Sequence, residues 1–429
     1  MKNSIKNSIV FILTLEARLV LWRHRPTVIA VTGNIGKTTT KDAIYAALSV
    51  SLYARKSEKS YNSEFGVPLA ILGCRSGWNN PLRWVEAMAR GVLAVVSPHY
   101  PKYLIVEVGA DRPGDIRRIA GWLRPHVVVM TQVPALPVHV EFFDSPEALI
   151  HEKCALVEAL RPGGIVVANG DDSRMLSLCK ERASNVVTYG FDGVNDLQGS
   201  HEDIEYAHYA PIGIRFRANR HGASVPVFLR EVLGRPVAYA SLAAIAVGEL
   251  YGIDLASASN ALSLWHTPPG RMKIISGVRG STIIDDTYNA SPEAVLSALD
   301  TLKKIEAKRR IVIVGDMLEL GMLSAEAHAN VGKRVAGCAD MLITVGFRAR
   351  KIAESALDAG MRDMQIQQYE HSEAERAGRE IEKELSEGDV VLIKGSQSMR
   401  MERTVLEIMA EPQRAEELLV RQDEEWLAI

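Results

Sequence analysis

Short apolar runs bounded by glycine, proline or polar residues recur along this chain. They alternate with stretches whose apolar residues return every three or four positions, the helical period. Val28–Val31, Tyr103–Val108, Val127–Thr131 and Ile165–Ala168 read as buried strands, with helices predicted over Asp42–Leu48 and Pro146–Leu160. From Val187 to Arg235 the pattern is less regular, with Gly213–Arg217 and Ser224–Leu229 as short strands of a hairpin and Ala238–Leu250 as an alanine-rich core helix. Two prolines and a glycine in His266–Gly270 mark a boundary. Beyond it the rhythm restarts, with strands at Ser281–Asp285, Arg310–Gly315, Met341–Val345 and Asp389–Ile393 and a helix at Pro292–Ile305. This predicts an α/β protein with two mostly parallel sheets: residues 26–268 around a mononucleotide-binding strand, and 269–429 as a second, Rossmann-like unit. The tail from Glu411 is acidic and reads as a surface helix.

Residues 1–25 form a separate element. Ile5, Ile9, Ile12, Leu13, Leu19 and Val20 recur at roughly helical spacing, and Pro26 ends the run. Glu16 and Arg18 interrupt the apolar stretch, which falls short of the ~20 apolar residues a membrane span needs. One amphipathic helix is expected, packed on the next unit or lying on a membrane surface or a partner protein.

The strand Val28–Val31 runs into Thr32-Gly33-Asn34-Ile35-Gly36-Lys37-Thr38-Thr39, and a helix follows. Strand, glycine turn and helix make the context of a phosphate loop. The general pattern wants a glycine at position 31, where this chain has valine, so this is a shorter variant. Loop amides and the helix N-terminus would hold phosphate oxygens, Lys37 would reach the β/γ-phosphates, and the Thr38 hydroxyl would sit on Mg²⁺. Glu107 closes a buried strand, where an unpaired carboxylate is costly and where ligands of such sheets gather, so it is a candidate Mg²⁺ ligand beside Thr38.

Composition narrows the class. With 47% hydrophobic and 24% charged residues and a net charge of −2, the 429-residue chain is that of an ordinary globular protein, with no basic stripe for nucleic acid. Four scattered cysteines without a C-x-x-C pair suit reduced thiols in a cytoplasm. His139 and Lys153, taken alone, read as exposed side chains.

The ordered motifs resemble those of the Mur ligases, ATP-dependent amide-forming enzymes of bacterial cell-wall synthesis. They are TGNIGKTTTK (Thr32–Lys41), FGVPLAIL (Phe65–Leu72), VEVGADRPGDI (Val106–Ile116), HVEFFDS (His139–Ser145), EKCALVEAL (Glu152–Leu160) and NGDD (Asn169–Asp172). PGRM (Pro269–Met272), IDDTYNASPEA (Ile284–Ala294), GDMLELG (Gly315–Gly321) and KGSQSMRME (Lys394–Glu402) follow. DDTYNASP and GDMLELG are most similar to the MurF type, which joins D-alanyl-D-alanine to UDP-N-acetylmuramoyl-tripeptide. The resemblance implies that an acyl-phosphate forms from the acceptor carboxylate and ATP, and that the incoming amine then displaces phosphate. It implies phosphate contacts from Gly33 to Thr39 and Lys37, Mg²⁺ on Thr38 and Glu107, and a second Mg²⁺ at His139 and at Lys153, the lysine such enzymes carbamoylate. It further implies nucleotide contacts by Asn169, Arg271, Asp286, Tyr288 and Asn289, an amine-substrate side lined by Lys394 and Ser396, and an open arrangement that closes on binding.

The sequence departs from that pattern at Gln132, at the loop Pro134–Val138 and at Gly234-Arg235-Pro236. Members of this type also begin with a UDP-sugar-gripping domain, whereas only the 1–25 helix precedes the phosphate loop here. The acceptor is therefore a muramoyl peptide or another carboxylate, such as a peptide, folate-like or polymer end. A non-catalytic nucleotide-binding partner is the third reading.

Overall fold

The structure, a computed structural model, describes residues 3–78, 80–134 and 140–427. The helices of the first half are α1 (Asn3–His24), α2 (Lys37–Leu48), α3 (Gly66–Leu72), α4 (Pro81–Val96), α5 (Asp115–Leu123), α6 (Pro146–Glu158), α7 (Ser173–Arg182), α8 (Arg235–Leu250) and α9 (Leu255–Ser263). Its strands are β1 (Thr27–Thr32), β2 (Ala54–Lys56), β3 (Tyr103–Glu107), β4 (Val127–Met130), β5 (Ile165–Asn169), β6 (Val186–Gly190), β7 (Leu197–Ala207), β8 (Ala210–Arg220) and β9 (Ala223–Arg230). They form one nine-stranded sheet in the order β2-β3-β1-β4-β5-β6-β7-β8-β9. The run from β2 to β7 is parallel, and β7, β8 and β9 are antiparallel. The central strands are covered on both faces, so TVIAVT and VVVM are continuous apolar runs rather than alternating ones.

The second sheet has six strands: β10 (Lys273–Ser276), β11 (Thr282–Asp286), β12 (Arg309–Gly315), β13 (Met341–Val345), β14 (Ile366–Tyr369) and β15 (Asp389–Lys394). Their order is β10-β11-β15-β12-β13-β14, with only the β10–β11 pair antiparallel. Around them pack α10 (Pro292–Lys304), α11 (Ser324–Ala336), α12 (Arg350–Asp358), α13 (Ala374–Glu382) and α14 (Glu402–Ile408). Ser145 and Ser291 cap α6 and α10 by accepting from Ala148 N and Ala294 N, each followed by a proline at the first helical position.

Two features differ from the sequence reading. The irregular region holds three long strands, because β7 is broken by register shifts at Ser200/Asp203 and Glu205/Tyr206 that hide its alternation. The tail is a set of short turns, Pro412–Arg414, Ala415–Leu418 and Glu424–Leu427, in place of one surface helix. Leu418, Leu419 and Arg421 are buried, and Arg421 donates to Thr287 O at 2.6 Å and to Glu402 Oε2 at 2.7 Å.

The first helix, α1, packs on α3 and α4 through Ile9, Leu13, Ala17, Val20 and Leu21, in line with the reading of residues 1–25 as a helix packed on the next unit. Glu16 is buried with them, and a side chain at Gly91 of α4 would meet its carboxylate. Burial lifts this carboxyl from 4.5 to about 7. The folded state thus binds its proton more tightly, and stability falls as pH rises from 4.5 to 7 and stays lower above. Glu16→Gln is expected to raise the melting temperature at pH 8 by roughly 5 °C and to leave it unchanged at pH 4.5. Equal melting of variant and wild type at pH 8 would refute that penalty.

Candidate active site

The phosphate loop is shaped by its neighbour strand. At Gly33, φ is +133° and a Cβ would lie 2.0 Å from Thr131 Oγ1, so only glycine fits. Asn34 N and Ile35 N both donate to Gln132 O, at 3.0 and 3.2 Å, which ties the loop to the segment after β4. Gly36 begins α2 in a left-handed conformation without a side-chain cap. The first-turn amides of Lys37, Thr38 and Thr39 therefore have no helical acceptor and border the cleft. Lys37 Nζ donates to Asn34 O at 3.3 Å. Burial lowers the Lys37 pKa, Glu107 and Asp111 oppose that, and Arg271 adds to it.

Glu107 ends β3, paired in register with Val31 of β1, and this carries its carboxylate to the loop. Its Oε2 accepts from Thr38 Oγ1 at 2.9 Å and its Oε1 from Asn62 Nδ2 at 3.0 Å. Ser60 Oγ lies 2.8 Å from Thr38 Oγ1. The pairing expected of Thr38 and Glu107 is thus present. Ser60 and Asn62 escaped the sequence reading, being polar residues in an aperiodic loop. Gly109 N donates to Asn62 O at 2.8 Å, which ties that loop to the end of β3.

Residues of the second half close the cleft. Arg271 Nη2 donates to Thr38 Oγ1 at 3.4 Å, and its guanidinium lies 3.8 Å from the centre of the Tyr288 ring. The two halves are therefore already apposed, contrary to the expected open arrangement. Asp286 and Lys394 neutralise each other at 2.5 Å. Asp286 also accepts from Met272 N and Lys394 donates to Asn289 O, so this buried pair pins both loops that carry Arg271 and Tyr288. The cleft is about 630 Å³ and reaches from the phosphate loop to the small residues Ala294, Ser297, Ala298 and Thr301 of α10.

Four of the expected residues, Gly33, Asn169, Lys153 and Ser396, are not among those that line this cleft. Asn169 is buried at the end of β5, its Oδ1 accepting from Asp171 N at 3.0 Å. Ser396 is buried too, its Oγ accepting from Leu318 N at 2.9 Å, which anchors the 315–321 loop. Lys153, on α6, is buried rather than exposed. Burial and the charge of Lys37 bring its pKa down to about 7, with Glu152 and Asp111 opposing. His139 and residues 135–138 lie outside the described residues. Among the described residues no three His, Cys, Asp or Glu side chains cluster as a metal site.

Known protein families match both halves of the chain. The Mur ligase middle domain matches residues 31–248, and the Mur ligase, glutamate ligase domain matches residues 270–397. A UDP-N-acetylmuramoyl-tripeptide–D-alanyl-D-alanine ligase of Bacillus subtilis (strain 168) is 27% identical over 391 residues, 90% of this chain and 76% of the relative. The protein of the same name from Synechocystis is 27% identical, over 91% of this chain and 76% of its own length. Among solved structures, the MurF ligase from Thermotoga maritima in complex with ADP superposes with a TM-score of 0.76 at 26% identity, covering 93% of this chain and 82% of that one. The two domain matches follow one another along the chain and between them span the phosphate loop, Glu107, Lys153 and Arg271. The chain belongs to the Mur ligase family, whose members are ATP-dependent ligases.

Proposed function

We propose that this protein forms an amide bond coupled to cleavage of ATP to ADP and phosphate, joining D-alanyl-D-alanine to the free carboxylate of a UDP-N-acetylmuramoyl-tripeptide. The names carried by its relatives support that substrate pair. The observation that supports the reaction most is Arg271, a cation from one half touching the phosphate loop of the other.

In this reading residues 26–268 hold the nucleotide and residues 269–429 close on it. The amides of Lys37–Thr39 and the Lys37 ammonium hold the β- and γ-phosphates, while Tyr288 and Asn289 border the nucleoside. An acceptor carboxylate oxygen attacks the γ-phosphorus and ADP leaves, giving an acyl-phosphate. The amine of the dipeptide attacks the acyl carbon, phosphate leaves, and the nitrogen loses a proton. Lys37 and Arg271 face the charge that develops on the transferring phosphoryl, and Lys394 and Ser396 shape the loops on the amine side.

Thr38 Oγ1, Ser60 Oγ and the Glu107 carboxylate form a compact, all-oxygen donor set. That chemistry fits Mg²⁺, which is commonly held by one or two carboxylates together with substrate phosphates. Bound there, Mg²⁺ would neutralise phosphate charge. Lys153 and His139 would hold a second ion. A Lys153 amine with its pKa near 7 is about half neutral at pH 7, the neutral form being the one that adds CO₂, and the carbamate so formed is anionic. The four free cysteines fit a reducing cytoplasm.

The test is phosphate release from ATP and Mg²⁺ with the muramoyl-tripeptide, with and without D-alanyl-D-alanine, and the product read by mass. Release that needs both, with a pentapeptide product, is expected. No release from protein that still binds ATP would move the acceptor to another carboxylate.

A further inference from the structure

The first helix has a second face that the ligase site does not use. Opposite its packed side, Phe11, Ile12, Leu15, Leu19 and Trp22 form a continuous exposed stripe, with Phe11 68% and Trp22 73% accessible. On α4, Leu82, Val85, Val92, Leu93 and Val96 form another, each more than half exposed. The helices lie side by side and parallel, with Glu16 against Gly91, His24 Nε2 3.1 Å from Ala94 O, and Arg23 donating to Val96 O at 3.4 Å. Ten of the 24 exposed large apolar side chains among the described residues thus sit on one two-helix layer. That is a patch rather than the usual scatter.

Charge decides what covers it. Lys6, Arg18, Arg23 and Arg25 of α1 and its end are exposed, while the one acid of α1, Glu16, is buried. Lys6 pairs with Glu64, but Arg18, Arg23 and Arg25 have no carboxylate partner among the described residues. A second copy docked face to face would bring like charges together. An anionic bilayer meets both features at once, taking the apolar stripes into its headgroup–acyl boundary and the guanidinium groups onto phosphates. Trp22, beside Arg23, is the residue type that favours that depth. No described helix is long and apolar enough to cross a membrane, so the layer would lie on it.

We propose that the α1–α4 layer docks this enzyme onto anionic lipid surfaces. The test is flotation of the full chain with vesicles of phosphatidylcholine alone and of phosphatidylcholine with 30% (roughly the anionic content used to mimic a charged leaflet) phosphatidylglycerol. At least about tenfold more protein should float with the anionic vesicles. Phe11→Ser/Leu15→Ser/Trp22→Ser should lose that binding about tenfold or more at unchanged far-UV circular dichroism. Arg18→Glu/Arg25→Glu, which leaves the apolar stripes intact, should lose the preference for anionic lipid. Absence of flotation by the wild type would overturn the proposal. So would light scattering that shows a dimer dispersed by the triple serine variant, because the face would then belong to a second copy.

Discussion

Replacement of Lys37 by alanine is expected to lower phosphate release by about 1,000-fold, roughly 4 kcal/mol of transition-state stabilisation. Lys37 opens α2, reaches back to Asn34 O, and stands where the loop amides converge. Its ammonium is held near Glu107, Asp111 and Arg271, so its charge is part of a balanced set. Alanine suits the first turn of a helix, and the loop stays tied through Asn34 and Ile35 to Gln132 O, so the fold should persist. Thermal melting would check persistence while a coupled assay reads phosphate. Wild-type turnover by Lys37→Ala would discard the phosphate assignment.

Lys153→Ala is expected to lower turnover by about 100-fold, and added short carboxylic acids should restore part of it. A lysine this deeply buried on α6 is costly as an ammonium, and its pKa near 7 reflects that cost. Nearby Lys37 disfavours a second cation and favours an anion in its place. Formate or acetate entering the space left by the side chain would return the negative charge without the covalent link. Full activity of Lys153→Ala without any additive would remove this residue from the site. Lower activity that no acid restores would leave it with a packing role.

The parts of the site legible in the sequence are those where chemistry and periodicity coincide. TVIAVT followed by GNIGKTTT announces a strand, a turn and a helix, and an acid ending YLIVE is conspicuous because a buried strand has few reasons to carry one. Arg271 and Asp286 lack any such local signal and were reached through the resemblance of PGRM and DDTYNASP. Ser60 and Asn62 lie in a polar loop whose role depends on Glu107 arriving from 45 residues away. The β7–β9 extension was blurred by bulges, and β14 by its place at a sheet edge, where only Tyr369 of its four residues is buried. The tail misread has a similar cause. Its acidic residues suggest a solvated helix, while what organises it is one buried arginine among carbonyls contributed by a distant loop.

That tail has a consequence for how the cleft opens. Arg421 fastens it to the Thr287–Tyr288 loop of the second half, while Asp423 pairs with Lys59, Glu425 with Arg83, and the Trp426 ring meets Trp78 edge-on at 5.7 Å on the first. The latch thus joins the halves beside the connecting chain near residue 270, the Val232–Lys273 bridge and the bond that Glu306 N donates to Tyr206 Oη. A tether of that kind makes the meeting of Arg271 with the phosphate loop an intramolecular event, with an effective concentration on the order of millimolar for short flexible links. The latch itself is weak on its first-half side, because both ion pairs are partly exposed and such pairs contribute at most about 1 kcal/mol each. Salt that screens Lys59 and Arg83 is therefore expected to loosen the latch on its first-half side, while the buried Arg421 contacts on the second half are screened much less.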